Sequence, residues 1–225
     1  ADARKKALVE HAAQFIFTVC AFFAVMAVLS ITVYMFLNGT PALFEVGITD
    51  LLFGTVWKPT AKEPSFGILY VILTSILGTS AAVVIGAPIG VFTAVFIEEI
   101  AGKKMAAIVK PAVELLAGIP SVIYGLLGIY LLNPLMYKLE RLVFAGSTTH
   151  QYTGGANLLS AVIVLAIMIL PTVINVSASA LHAVPKQQRA ASYAMGASKI
   201  QTIFKVVLPS AISGIIAAVV LGTGR

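Results

Sequence analysis

An all-α fold, a polytopic bundle of transmembrane helices, is what this sequence predicts, on three observations. Of 225 residues, 59% are hydrophobic and 11% charged, with a mean hydropathy of +0.99, which is not the composition of a water-soluble core. Successive apolar runs are long enough to cross ~30 Å of hydrocarbon as helices. The formal charge of +6 comes from Lys and Arg gathered in the breaks between those runs, which is a pattern of membrane topology and not of a nucleic-acid surface. The single Cys20 lies in an apolar run, so neither a disulfide framework nor a thiolate metal cluster is expected. His11, His150 and His182 are scattered at span ends and predict no metal site. Arg4, Lys5 and Lys6 precede an apolar run too long for the h-region of a cleavable signal peptide.

Taken in order, residues 1–11 form a cytoplasmic tail and residues 12–37 the first transmembrane helix. Residues 38–65, with Gly39, Pro41, Pro59 and Pro64, are too polar and broken to span and form a periplasmic segment. Leu51, Leu52, Phe53 and Trp57 suit its lying partly along the outer interface. Phe66 to Ile97 exceeds the bilayer thickness, so it must tilt, bend at Pro88 or extend beyond the membrane. Gly78, Ala82, Gly86 and Gly90 recur every fourth residue and give a smooth face for close helix packing. Glu98, Glu99, Lys103, Lys104 and Lys110 follow as a short inner loop. The third span is Pro111 to Met136, with Glu114 at its positive N-terminal end and a bend or break at Gly118 and Pro120. Tyr137 to Asn157 returns through the outer side, and Leu158 to Ala180, kinked near Pro171, is the fourth span. This layout puts ten Lys and Arg inside (Arg4, Lys5, Lys6, Lys103, Lys104, Lys110, Lys186, Arg189, Lys199, Lys205) and four outside (Lys58, Lys62, Lys138, Arg141), so the N-terminus is expected in the cytoplasm.

Residues 183–209 form a basic loop far longer than a connection between spans requires. Local signals make it two short helices. Pro185 suits a first helical position, Lys186 to Met195 runs on good helix formers, Gly196 suits a left-handed helix end, and Ser198 can cap the next helix. By composition alone this is a solvated loop whose charges set topology. After Pro209, residues 210–224 cover only ~22 Å as a helix, short of a crossing, and Arg225 follows.

Residues 183–209 resemble the coupling loop of ABC importer permeases. That pattern runs Glu-Ala-Ala, three residues, Gly, nine residues, Ile, one residue, Leu-Pro. Here it falls on Ala190, Ala191, Ser192, Gly196, Val206, Leu208 and Pro209, with the acidic residue replaced by Ala190. Further stretches resemble the C-type (PstC) permeases of phosphate ABC transporters. They are residues 66–69 (FGIL), 118–125 (GIPSVIYG), 168–171 (MILP), Val184-Pro185, 192–197 (SYAMGA) and 221–225 (LGTGR). The resemblance runs from about Phe44 to the end, and the Gly-Ile-Pro-Ser-Val-x-Tyr-Gly string is its most distinctive part.

The resemblance implies an ABC type I importer transmembrane domain over residues 66–225, with about five spans and a last helix that the family continues through Gly-Glu-Thr, so that this chain is C-terminally truncated. It implies translocation of inorganic phosphate across the bacterial inner membrane. It also implies partnership with cytoplasmic ATP-binding subunits, a second permease subunit, a periplasmic phosphate-binding protein and the lipid bilayer itself. The family's pathway arginine falls on Arg225; Ser121 and Asn175 are further candidates for the pathway, with interhelical hydrogen bonding an equal alternative, as for Asn133 and Ser177. Pro185, Arg189, Ala190, Ala191, Ser192, Gly196, Leu208 and Pro209 are the candidate ATPase-coupling residues. Without a Gly-rich loop ending in Lys-Ser or Lys-Thr, the chain is expected to bind no cofactor and to perform no catalysis, ATP and Mg belonging to the partner ATPase. An importer of another oxyanion (phosphonate or molybdate) is the nearer rival. A channel or secondary transporter is more distant, because such carriers usually need mid-membrane acids.

Overall fold

The computed structural model describes residues 2–147 and 149–224. The chain divides into two units at Ile72 and Leu73. In the first, helix α1 (Asp2–Val46) exposes apolar side chains all round, among them Phe15, Phe23, Val28 and Tyr34, as a membrane span does. The expected first span of residues 12–37 lies inside α1, but the helix does not stop at Asn38. Asn38 donates from Nδ2 to the Tyr34 carbonyl (2.9 Å), and Thr40 from Oγ1 to the Phe36 carbonyl (2.6 Å). The polar residues that read as a loop thus bond to their own helix. Pro41, inside α1, removes a single backbone N–H and does not break it.

Gly47 ends α1, and α2 (Ile48–Phe53) follows. A two-stranded antiparallel hairpin, β1 (Trp57–Lys58) and β2 (Ser65–Phe66), is a small addition to the all-α expectation. Trp57 and Phe66 are directly opposed in it and meet edge-on at 6.0 Å.

The second unit holds the body of α3 (Leu69–Val95), a π turn at Phe96–Ile100, α4 (Lys103–Ala117), α5 (Ser121–Leu127), a second π turn at Gly128–Leu132, and α6 (Asn133–Val143). Helix α7 (Leu158–His182) leads to α8 (Lys186–Ala194), α9 (Lys199–Thr202), a third π turn at Ile203–Val207, α10 (Leu208–Ser210) and α11 (Ile212–Thr223). Among the described residues, four helical stretches are long and apolar enough to cross a membrane: Glu10–Val46, Leu69–Ile100, Ser121–Val143 and Leu158–His182. Lys199–Ser210 and Ile212–Thr223, bent by 68°, give a fifth if they form one broken span.

Three boundaries differ from those expected. Helix α3 continues past Ile97 through the π turn, so Glu98 and Glu99 belong to the span's end and not to a loop. The third span begins at Ser121, not Pro111, because Pro111 sits inside α4 and the break falls at Gly118–Pro120. Lys103, Lys104 and Lys110 are therefore helical, and Glu114 lies in the last turns of α4, opposite to the helix end assigned to it from Pro111. A proline at 111 allowed either a start or an interior position, and amphipathic α4 decided for the interior. Finally, α6 runs to Val143, beyond Met136. Its buried Glu140 accepts hydrogen bonds from His150 Nε2 (2.9 Å) and the Thr153 backbone N–H (3.1 Å), tying α6 to the chain that follows it.

Helix α7 is the centre of the second unit. Asn157 caps it, its Oδ1 accepting from the Ser160 N–H at 3.0 Å. Pro171 is buried within it, along with Val173 and Ser177. The predicted small-residue face of α3 packs here: Gly86 lies against Ile169 and Gly90 against Val173. On α11, Gly214 lies against Ala180 and Gly222 against Val173 and Ile169. Glycine lets the side chains of α7 seat directly on the backbones of both neighbours.

A Cβ at Gly90 would lie 2.7 Å from Val173 Cγ1 and one at Gly86 2.8 Å from Ile169 Cδ1, so Gly86→Val or Gly90→Val overpacks the α3–α7 contact. Each is expected to destabilise the unit by about 1–3 kcal/mol, read as a lower unfolding midpoint in detergent micelles, whereas Gly125→Ala, at a position with open space, should leave it unchanged.

Candidate coupling and transport site

The polar residues of 183–209 stand on an apolar root. The ends of α3, α7 and the start of α11 meet in a buried cluster of Ala94, Val95, Leu181, Val184, Ile203, Val207, Ala211 and Ile215. Helix α8 stands on this root and itself buries no residue.

Both ends of α8 are set by local chemistry. Pro185 occupies the position before the first helical residue, one place earlier than expected. At the other end Gly196 has φ +82°, the left-handed conformation read from the sequence. Its N–H donates to the Tyr193 carbonyl (2.9 Å) and the Ala197 N–H to the Ser192 carbonyl (3.2 Å), a Schellman closure. Ser198 then caps α9 as expected. Its Oγ accepts from the Gln201 N–H (3.3 Å), and the Ser198 N–H donates to Gln201 Oε1 (2.8 Å). Two side-chain bonds tie α8 to the chain that follows: Ser192 Oγ to Thr202 Oγ1 (2.9 Å), and Ser210 Oγ to Gln188 Oε1 (2.9 Å).

Ala190, Ala191, Tyr193, Ala194 and Met195 are exposed, Met195 to 88%. A groove of about 580 Å³ runs beside them, lined by Gln188, Ala191, Met195, Gly196 and Lys205 among others. An alanine surface bordered by one unbranched, adaptable Met suits gripping by another protein. Leu208 and Pro209 lie in α10, behind the third π turn.

Arg189 differs from its neighbours on α8. It is half-buried and faces the root. Its Nη2 and Nε donate to Glu99 Oε1 (2.7 and 3.2 Å), its Nη1 to the Val184 carbonyl (2.6 Å), and Nη2 also to the Leu181 carbonyl (2.9 Å). The adjacent Glu98 accepts from Lys110 Nζ (2.6 Å) and contacts His182 Nδ1 (3.3 Å). Nothing in the loop's own sequence pointed to these acids, which stand some 90 residues away. The one available signal was their adjacency at the end of an overlong apolar run.

Asn175, half-buried on α7, lines a cavity of about 510 Å³ with Glu98, Lys110, Glu114, Ser179 and His182. Ser121 is exposed at the start of α5 and is not among the cavity's lining residues. Arg225 lies outside the described residues. Among the described residues no group of three or more His, Cys, Asp or Glu is placed to hold a metal ion.

Residues 86–225 match the family model of binding-protein-dependent transport system inner membrane components. A probable ABC transporter permease protein, YqgH of Bacillus subtilis, is 37% identical over 99% of this chain and 69% of its own length. The phosphate transport system permease protein PstC of Xylella fastidiosa is 32% identical over 92% of this chain and 66% of its own, and PstC 2 of Mycobacterium tuberculosis 30% identical over 89% and 64%. The chain thus spans about two thirds of the length of these curated relatives. An inward-facing structure of the MetNI methionine ABC transporter matches 70% of this chain and 66% of that one, at 24% identity and a TM-score of 0.47.

Losing the Ser198 hydroxyl removes one half of the box that starts α9. Ser198→Ala is expected to cost about 1 kcal/mol locally, measured as faster amide exchange across Lys199–Thr202 with no change in α7.

Proposed function

Because the chain belongs to the family of binding-protein-dependent transport system inner membrane components, we propose that it is the permease subunit of an ATP-driven importer of inorganic phosphate. The observation that carries the phosphate assignment is that relatives named as phosphate transport system permeases are 30–32% identical to it over 89–92% of the chain. The geometry supports the mechanical part. Helix α8 is stiffened at both ends, exposes an alanine surface and rests on the root where α3, α7 and α11 converge.

In this reading α8 is the coupling helix, and the N-terminus and residues 183–209 are cytoplasmic. A separate ATPase dimer, holding ATP and Mg, grips Ala190, Ala191, Ser192 and Gly196 and moves α8 as it closes. Pro185 joins that movement to α7, and Leu208 and Pro209 join it to α11. The cavity between this subunit and a second permease subunit then opens alternately to the two sides, and a periplasmic binding protein delivers phosphate from outside. Arg225 compensates phosphate charge in the membrane, where a charge costs a few kcal/mol unless paired, with Ser121 and Asn175 along the route.

Three outcomes are expected in the whole transporter. A Gly196→Trp variant should insert normally and hydrolyse ATP without uptake, since any side chain there is strained at φ +82° and a large one blocks the grip. Thiol reagents should reach Lys186→Cys from the cytoplasmic side in a Cys20→Ser background; labelling from outside would overturn the assignment. Arg225→Ala should slow phosphate uptake roughly tenfold, the loss that corresponds to about 1.4 kcal/mol. The Bacillus subtilis relative is named only as a probable ABC transporter permease. Uptake competed by phosphonate or molybdate and not by phosphate would therefore favour another oxyanion.

A further inference from the structure

Helix α8 is joined through the chain to α7 on one side and, through α9 and α10, to α11 on the other. It has no such connection to α3. The apolar contact is that of Ala94 and Val95 with Val184, Ile203 and Val207 in the root, and apolar contact is non-directional. Arg189 supplies what is missing. Its planar fork holds the Glu99 carboxylate at the end of α3 and, with the same guanidinium, the Leu181 and Val184 carbonyls at the end of α7. The side chains of Glu99 and Arg189 are 10% and 19% exposed, so water screens the pair less than it would a surface ion pair.

The π turn presents Glu99 here. Its Ala101 N–H bonds back five residues to the Phe96 carbonyl (2.7 Å), and the two successive acids point to different partners, Glu98 to Lys110 and Glu99 to Arg189. A π turn inside a span commonly marks a functional position.

We propose that Arg189 is a positioning residue. It fastens α8 to the ends of both α7 and α3, so that movement imposed on α8 reaches two spans together, and it acts through Glu99 without touching the ATPase or the transported anion. The inference rests on the reading of α8 as the coupling helix and sharpens it, since Arg189 then leaves the set of docking contacts.

The test is phosphate taken up per ATP hydrolysed by the whole transporter in proteoliposomes. Arg189→Ala and Glu99→Ala should lower this ratio at least about fivefold, the lower end of ordinary site-to-site coupling. The amount of ATPase that co-purifies should be unchanged, which a docking role for Arg189 would not allow. Arg189→Lys, which keeps the charge but not the fork, and Glu99→Gln, which keeps the shape but not the charge, should fall between. They carry the decision if the alanine variants fail to assemble. In a Cys20→Ser background, Glu99→Cys with Arg189→Cys should lose coupling, and recover it in molecules bridged by a short bis-thiol reagent. A merely stabilising pair would give no such recovery. A ratio within about twofold of wild type in assembled Glu99→Gln and Arg189→Lys transporters, or no recovery in bridged molecules, overturns the proposal. Absence of any ATPase with the wild-type protein would instead bring down the coupling assignment beneath it.

Discussion

Helix α7 is gripped by glycine from two sides, and the rest of the second unit depends on that grip. Gly86 and Gly90 of α3 and Gly214 and Gly222 of α11 place no side chain between backbones, and Ile169, Val173 and Ala180 fill the space. In lipid no hydrophobic force drives helices together, because lipid tails are as apolar as leucine. Close fit, multiplied over many weak contacts, has to supply the adhesion. That fit also brings the ends of α3 and α7 and the start of α11 to one level, where Leu181 and Val207 are fully buried.

Above this dense root stands a helix with almost opposite properties. Nothing in α8 is buried, yet Pro185 precedes its first turn, a Schellman closure ends its last, and a capping box opens α9 directly after it. Shape is secured there by directed hydrogen bonds in place of packing. Such an element holds its form while leaving its surface exposed. Membership of the importer family agrees with this division between a close-packed bundle and a polar handle.

Where a feature is local, sequence reasoning read it. The sequence marks Gly196 as left-handed and Ser198 as a cap, and the structure places both so. The four-residue glycine and alanine repeat of α3 marks a packing face, and Gly86 and Gly90 pack there. Prolines were less legible. Pro41, Pro88, Pro111 and Pro171 all lie inside helices, whereas the Gly118–Pro120 stretch breaks one, because proline removes one hydrogen bond and the surroundings decide whether the helix survives the loss. The misplaced start of the third span, and with it the wrong end of the helix for Glu114, follow from that ambiguity.

The sequence by itself determined the class of the protein, the presence of its apolar spans, the caps around α8 and its kinship, since each is carried by composition or by runs of residues continuous in the chain. Tertiary structure alone decided which helix α3 embraces, where Glu114 falls, and that Arg189 turns inward to Glu99 instead of outward to a partner. The reason is physical: a charge shows its sign to anyone reading the chain, but its counter-charge, 90 residues away, is chosen only when the fold brings both out of water together.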